Sequence, residues 1–170
     1  MIIKINMKSL NQYIQEKLII NKDYNDGKIV VKSFDKLRKI IENRYKKLGA
    51  GTKQNPIDFN DIDVSNLHYF QNNEDKGIFE YMRFKYIDIS DWDVSNVKSM
   101  RGMFFMCKEL ESIGDISEWD VSNVTNMSFM FNGCTSFNQD LSCWDVSKVI
   151  YTIGAFTNCP IQEEYKPKFK

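Results

Sequence analysis

The tetrapeptide Trp-Asp-Val-Ser occurs three times, beginning at Trp92, Trp119 and Trp144, and a copy with isoleucine in the first position begins at Ile62. The intervals are 30, 27 and 25 residues. Self-similarity at a near-constant period constrains the fold more than any single residue. One such unit cannot bury its own apolar edge, so neighbouring units must lie against each other. The expectation is an α/β solenoid.

Aligned on the Trp position, the copies share several columns. Asp58, Asp88, Asp115 and Asp140 precede it, and Asp63, Asp93, Asp120 and Asp145 follow it, each with Val and Ser next. Downstream come Met100 and Met103, then Met127 and Met130, then Phe104, Phe131 and Phe156, and finally Cys107, Cys134 and Cys159. Spacings of three and four predict a short α- or 3₁₀-helical segment in each unit, with one face to the core. Asp-Val-Ser-Asn before it suits a helix N-cap. Residues 137–141 alternate like a short strand. Each unit thus reads as strand, Trp-bearing turn, helix and return, with residues 71–77 as a polar surface loop in the first copy.

Ahead of the repeats, residues 9–20 carry a helical stripe of Leu10, Tyr13, Ile14 and Leu18. Asn25-Asp26-Gly27 signals a turn, with a short strand after it. A second helix is predicted from Ser33 as N-cap to Gly49 as stop, with Phe34, Leu37, Ile40, Ile41, Tyr45 and Leu48 inward and Lys36, Lys39, Lys46 and Lys47 on the other face. This helix is expected to cover the exposed end of the repeats. Three parts result: a basic helical cap over 1–50, the repeat solenoid over 51–160 and a charged tail over 161–170.

The chain has no net charge, yet residues 1–50 hold twelve Lys/Arg against five Asp/Glu, whereas 51–160 hold eight against sixteen. Opposite charges can dock the head on the body; nucleic-acid binding by the head is the sharper and less favoured reading. The opening residues lack an unbroken apolar run, and nothing approaches the ~18–20 apolar residues of a spanning helix. The expectation is a soluble chain with no membrane partner, acting in the cytoplasm of the producing or infected cell, or in a virion.

Catalytic and metal readings find little support. Cys107, Cys134 and Cys159 occupy one repeat position and should line the interior, which leaves Cys143 as the candidate reactive thiol. With His68 the lone histidine, no zinc set has ligand spacing. The Asp columns suit turn capping, with calcium between units the less favoured alternative. Trp92, Trp119 and Trp144 form either a buried ladder or, if exposed, a sticky strip. No cofactor, metal site or catalytic residue is expected.

The run Trp-Asp-Val-Ser-Asn-Val…Met…Met-Phe…Cys…Phe-Asn-Gln-Asp-Leu, best matched over 119–141, resembles the BspA-like leucine-rich-repeat class found in bacterial surface proteins and small phage proteins. The stretch 7–18 is similar to openings of phage-encoded proteins. The resemblance implies a short, right-handed, leucine-rich-repeat-like coil of about four repeats with an N-terminal helical cap, and says little about function; a solenoid without catalytic insertions is expected to bind rather than catalyse. No export signal or anchor is visible, and the repeats are too few for a surface stalk.

The function expected is therefore non-enzymatic protein–protein recognition through the repeat surface, with self-association as a further partner mode. The alternative is a structural component of a virion or other assembly, using the basic head and acidic body. Contact residues are expected where neighbouring copies differ: Lys98, Arg101, Lys108, Glu109, Thr125, Asn126 and Ser128.

Overall fold

The structure is a computed structural model that describes residues 24, 25 and 27–170. The stripe predicted over 9–20 lies outside them. Two short strands open the described chain: β1 (Tyr24–Asn25) and β2 (Lys28–Val30), paired antiparallel with Asn25 opposite Lys28. Gly27 makes the turn between them with φ 80°, a conformation glycine adopts without a Cβ clash.

The helix α1 (Phe34–Leu48) forms as predicted. The Ser33 hydroxyl accepts the Lys36 N–H, Asp35 sits in the positive first turn, and Gly49 ends the helix with φ 77° and its N–H on the Tyr45 carbonyl. Leu37 and Ile41 are buried; Phe34, Ile40 and Tyr45 lie against the same core. The Tyr45 ring meets Phe84 edge-on at 5.0 Å. One ion pair and a set of hydrogen bonds tie the helix to the repeats: the Arg44 guanidinium grips both Asp61 carboxylate oxygens, at 2.6 and 2.7 Å, while Arg38 donates to the Gly77, Ile78 and Glu80 carbonyls. Two cations of the basic head are thus engaged on the acidic body.

Behind the helix come β3 (Ile57–Asp58), β4 (Ile62–Asp63) and β5 (Ile87–Asp88). Strand β4 pairs parallel with β2, making a three-stranded sheet in the order β1-β2-β4, and β3 pairs parallel with β5 in a second, two-stranded sheet. Single parallel bridges link Tyr69 to Ser99, Ser99 to Asn126 and Asn126 to Tyr151. Backbone bonds cross between the same positions: Met100 N–H to the Asn126 carbonyl (2.9 Å), Met127 N–H to that of Tyr151 (2.8 Å), and Phe104 N–H to that of Met130 (2.9 Å).

The predicted α/β solenoid does not form. Among the described residues there is one α-helix, and it precedes the repeats; the strands are two or three residues long and stop at Asp88. The helix expected in each unit and the strand expected over 137–141 are absent, and a 3₁₀ turn at Glu163–Tyr165 is the last regular element. Turns replace them. Met103 N–H returns to the Met100 carbonyl and Cys107 N–H to that of Phe104, giving an apolar spacing of three without a continuous helix. A helix also needs its N–H groups for the i−4 carbonyls. Here those of Met100, Gly102, Phe104 and Met106 donate to the following unit.

The core is a set of like-on-like columns. Phe79, Phe104, Phe131 and Phe156 stack with centroids 5.3, 5.1 and 5.7 Å apart and planes within 14°. Cys107 and Cys134 are buried and Cys159 half-buried beside them. Trp92, Trp119 and Trp144 are buried too. Glycine is required where units touch most closely: a Cβ on Gly77 would lie 1.8 Å from the Gly102 carbonyl oxygen.

Candidate functional site

The Asp columns resolve into turns. Asp63, Asp93, Asp120 and Asp145 each accept, through Oδ1, the N–H of the serine two residues on, at 2.9–3.0 Å. Asp88, Asp115 and Asp140 do the same for Ser90, Ser117 and Ser142. Bonding to the Ser122 and Ser147 hydroxyls and amides holds the Asp120 and Asp145 carboxyls below the ordinary range. These carboxylates hold turns. Among the described residues no three His, Cys, Asp or Glu side chains converge in a way that could hold a metal ion.

The thiol column is similarly quiet. Burial pushes the Cys107 thiol up to about 12 and raises those of Cys134 and Cys159. The Cys107 and Cys134 thiols donate to the Phe79 and Phe104 carbonyls at 3.0 Å. Cys143 is exposed.

The residues predicted as contacts do not form one patch. Lys98, Thr125 and Asn126 lie along the bridge column: the Lys98 carbonyl accepts the Thr125 N–H and hydroxyl. Lys108 and Glu109 sit elsewhere, with Glu109 held by Arg83 at 2.6 Å and the Lys108 carbonyl bonded to Thr135 and Ser136. Ser128 corrects the expectation of exposure. It is 3% exposed, and its carbonyl takes the Gly102 N–H.

Arg101 is the predicted residue that stands at a formed recess. A cavity of about 210 Å³ is lined by Asp75, Glu80, Arg101, Gly102, Phe105 and Phe129. The Arg101 guanidinium lies 5.0 Å above the Phe129 ring and 3.4 Å from the Asp75 carboxylate. Phe105 meets Phe129 at 6.3 Å and Tyr81 at 5.5 Å, both edge-on. Tyr81 is 62% exposed, so the strip reaches the surface. On the acidic side, Glu80 is fixed by accepting the Gly77 N–H at 2.9 Å.

Phe129 has an unusual backbone. Its φ is 59°, in the left-handed region, and the equivalent residues of the units on either side are Gly102 and Gly154, with φ 60° and 65°. The fold there calls for glycine, and a side chain costs about 1–2 kcal/mol. Non-glycine residues in such conformations gather at functional sites. Tyr81 is different: its positive φ of 59° recurs at Met106, Gly133 and Asn158, at the same place in the other units, so there the left-handed turn belongs to the repeat. Sequence reading missed Tyr81, Phe105 and Phe129. The signal available was an aromatic residue in a column otherwise held by glycine.

A family model described as "Mycoplasma protein of unknown function, DUF285" matches residues 54–164. The chain belongs to the DUF285 family. The match takes in all four Asp-Val-Ser turns and leaves out α1. No curated protein and no solved structure matches. DUF285 membership accounts for the repeated columns, and the Arg101–Phe129 recess is built on positions where this chain's own repeats differ.

Proposed function

We propose that this DUF285 chain is a non-enzymatic protein-recognition module whose contact face comprises Tyr81, Arg101, Phe105 and Phe129. One observation carries the reading: an aromatic residue occupies a left-handed position that adjacent units give to glycine, and its ring lies beneath an arginine. Aromatic residues and arginine dominate binding energy where proteins meet, because they combine large apolar area with a polar handle. The uniform columns build the scaffold, and specificity requires what does not repeat. The assembly alternative draws on charge polarity, but Arg38 and Arg44 are engaged within the chain, which lends it less support. In sequence, we further propose that these DUF285 repeats are of the BspA-like kind, on the strength of residues 119–141.

The test uses Phe129→Gly, which relieves the backbone while deleting the ring, and Arg101→Ala. Affinity capture from the native host, followed by mass spectrometry, should return a dominant protein with the wild-type chain. Its affinity for the purified chain should fall about 30-fold or more in either variant, the loss expected at an interface hot spot. Thermal stability of Phe129→Gly should equal or exceed wild type. Unchanged partner affinity in both variants would overturn the reading.

A further inference from the structure

The last repeat ends in an edge of unusual composition. In the second repeat, the positions flanking the bridge column are Lys98 and Arg101; in the third they are Thr125 and Ser128. In the last they are Ile150 and Ile153, 72% and 70% exposed, with Tyr151 between them at 56%. Residues 149–158 contain no charged side chain. The outer edge of this unit is therefore apolar and uncovered among the described residues.

Backbone groups on the edge show what fits it. The Tyr151 N–H and carbonyl both face the preceding unit, bonded to the Thr125 carbonyl (3.1 Å) and the Met127 N–H (2.8 Å). Alternation along an extended chain sends the Ile150 carbonyl and the Thr152 N–H the other way, and neither takes a backbone partner among the described residues. An acceptor and a donor either side of one residue are what an antiparallel strand pair needs about a non-hydrogen-bonded position. With a two-fold axis at Tyr151, each Thr152 N–H meets the Ile150 carbonyl of the other copy.

We propose that this edge pairs antiparallel with the same edge of a second copy of the chain, forming a two-fold dimer centred on Tyr151. The absence of charge favours a self-pairing partner, since any charge near a two-fold axis faces its own image. An isologous contact is also the simplest closed assembly, and closure leaves no edge exposed. Ile150, Tyr151 and Ile153 become the shared apolar surface. Phe129 adjoins this edge, its N–H on the Ile153 carbonyl, but dimer formation is read on the purified chain with no partner present, so its failure is distinguishable from a failure of partner recognition.

Sedimentation of the purified full chain should show a mass rising with concentration from 20.0 kDa towards twice that value and no further. A mass that stays monomeric at high-micromolar concentration overturns the proposal, and so does one that climbs past the dimer. The double variant Ile150→Lys, Ile153→Arg restores the residue types of Lys98 and Arg101, which the repeat already tolerates. It should remain monomeric with an unchanged melting curve; a persistent dimer overturns the proposal. Register is tested with Tyr151→Cys in a Cys143→Ser background. Facing Cα atoms at a non-hydrogen-bonded pair are about 4.5 Å apart, within disulfide reach. Mild oxidation should give a covalent dimer there and none for Ser147→Cys in the same background. The reverse pattern overturns the register.

Discussion

The indoles of Trp119 and Trp144 lie 6.1 Å apart and within 11° of parallel, yet they do not share the same hydrogen bonding. Trp144 Nε1 donates to the Ile116 carbonyl at 3.1 Å, and Trp92 Nε1 to that of Phe59 at 2.9 Å. The buried Trp119 Nε1 meets no acceptor among the described residues. A column of identical residues therefore contains one donor without a partner.

Trp119→Phe should consequently cost less than Trp144→Phe. Both lose similar ring area, but only the second loses a hydrogen bond; the Ile116 carbonyl keeps the Trp119 backbone N–H. The difference should be about 1 kcal/mol in denaturant unfolding. Equal losses would mean that Trp119 has an acceptor after all.

Phe104 is sandwiched between Phe79 and Phe131 and has no solvent exposure. Phe104→Ala should destabilise by about 3–5 kcal/mol, because rigid columns on both sides cannot collapse into the space. Lys108→Ala, on the exposed side of the same unit, should stay within about 0.5 kcal/mol of wild type. Urea unfolding of both variants separates the stacked column from its surface.

Acid should weaken the turns. The Asp115, Asp120, Asp140 and Asp145 carboxyls are held below their ordinary values by the serine two residues on. Depressed folded values mean that their contribution is complete above the ordinary carboxylate pKa and is lost as pH falls through the folded value. The melting temperature should hold between about pH 7 and pH 5 and decline below about pH 4. Asp120→Asn with Asp145→Asn keeps an acceptor oxygen without a titrating group, so its acid limb should be flatter. A wild-type midpoint that does not move down to about pH 3 contradicts this account.

Thiol chemistry should be confined to one residue. Cys143 is exposed, whereas burial raises Cys107, Cys134 and Cys159 away from the thiolate. Ellman titration of the native chain at about pH 8 should show one fast thiol, lost in Cys143→Ser, and all four after denaturation. Rapid native reaction of Cys107 would contradict the buried column.

Local signals were readable in advance. Ser33, Gly49 and the stripe between them predict α1 because capping and amphipathicity are written within a few residues of each other. The inward Cys column followed from period, whereas period left the Trp column open between a buried ladder and an exposed strip. The spacing of Val97, Met100, Met103 and Cys107 misled, since successive turns closed by three-residue bonds place side chains at helical intervals too. Phe129 escaped notice because its meaning depends on Gly102 and Gly154 one unit away on either side.

By itself, then, the sequence determined the repeat, the cap helix and the residues that face inward, all consequences of local propensity and periodic hydrophobicity. Tertiary structure decided the rest. Whether the Met100 and Gly102 N–H groups close a helix or bond across to Asn126 and Ser128 depends on a neighbour about 26 residues away, and burying the Phe column brings that neighbour within reach. Once the backbone bonds run between units, no helix can form in them. The same choice leaves the Ile150 carbonyl and the Thr152 N–H without a backbone partner among the described residues and seats Phe129 beneath Arg101.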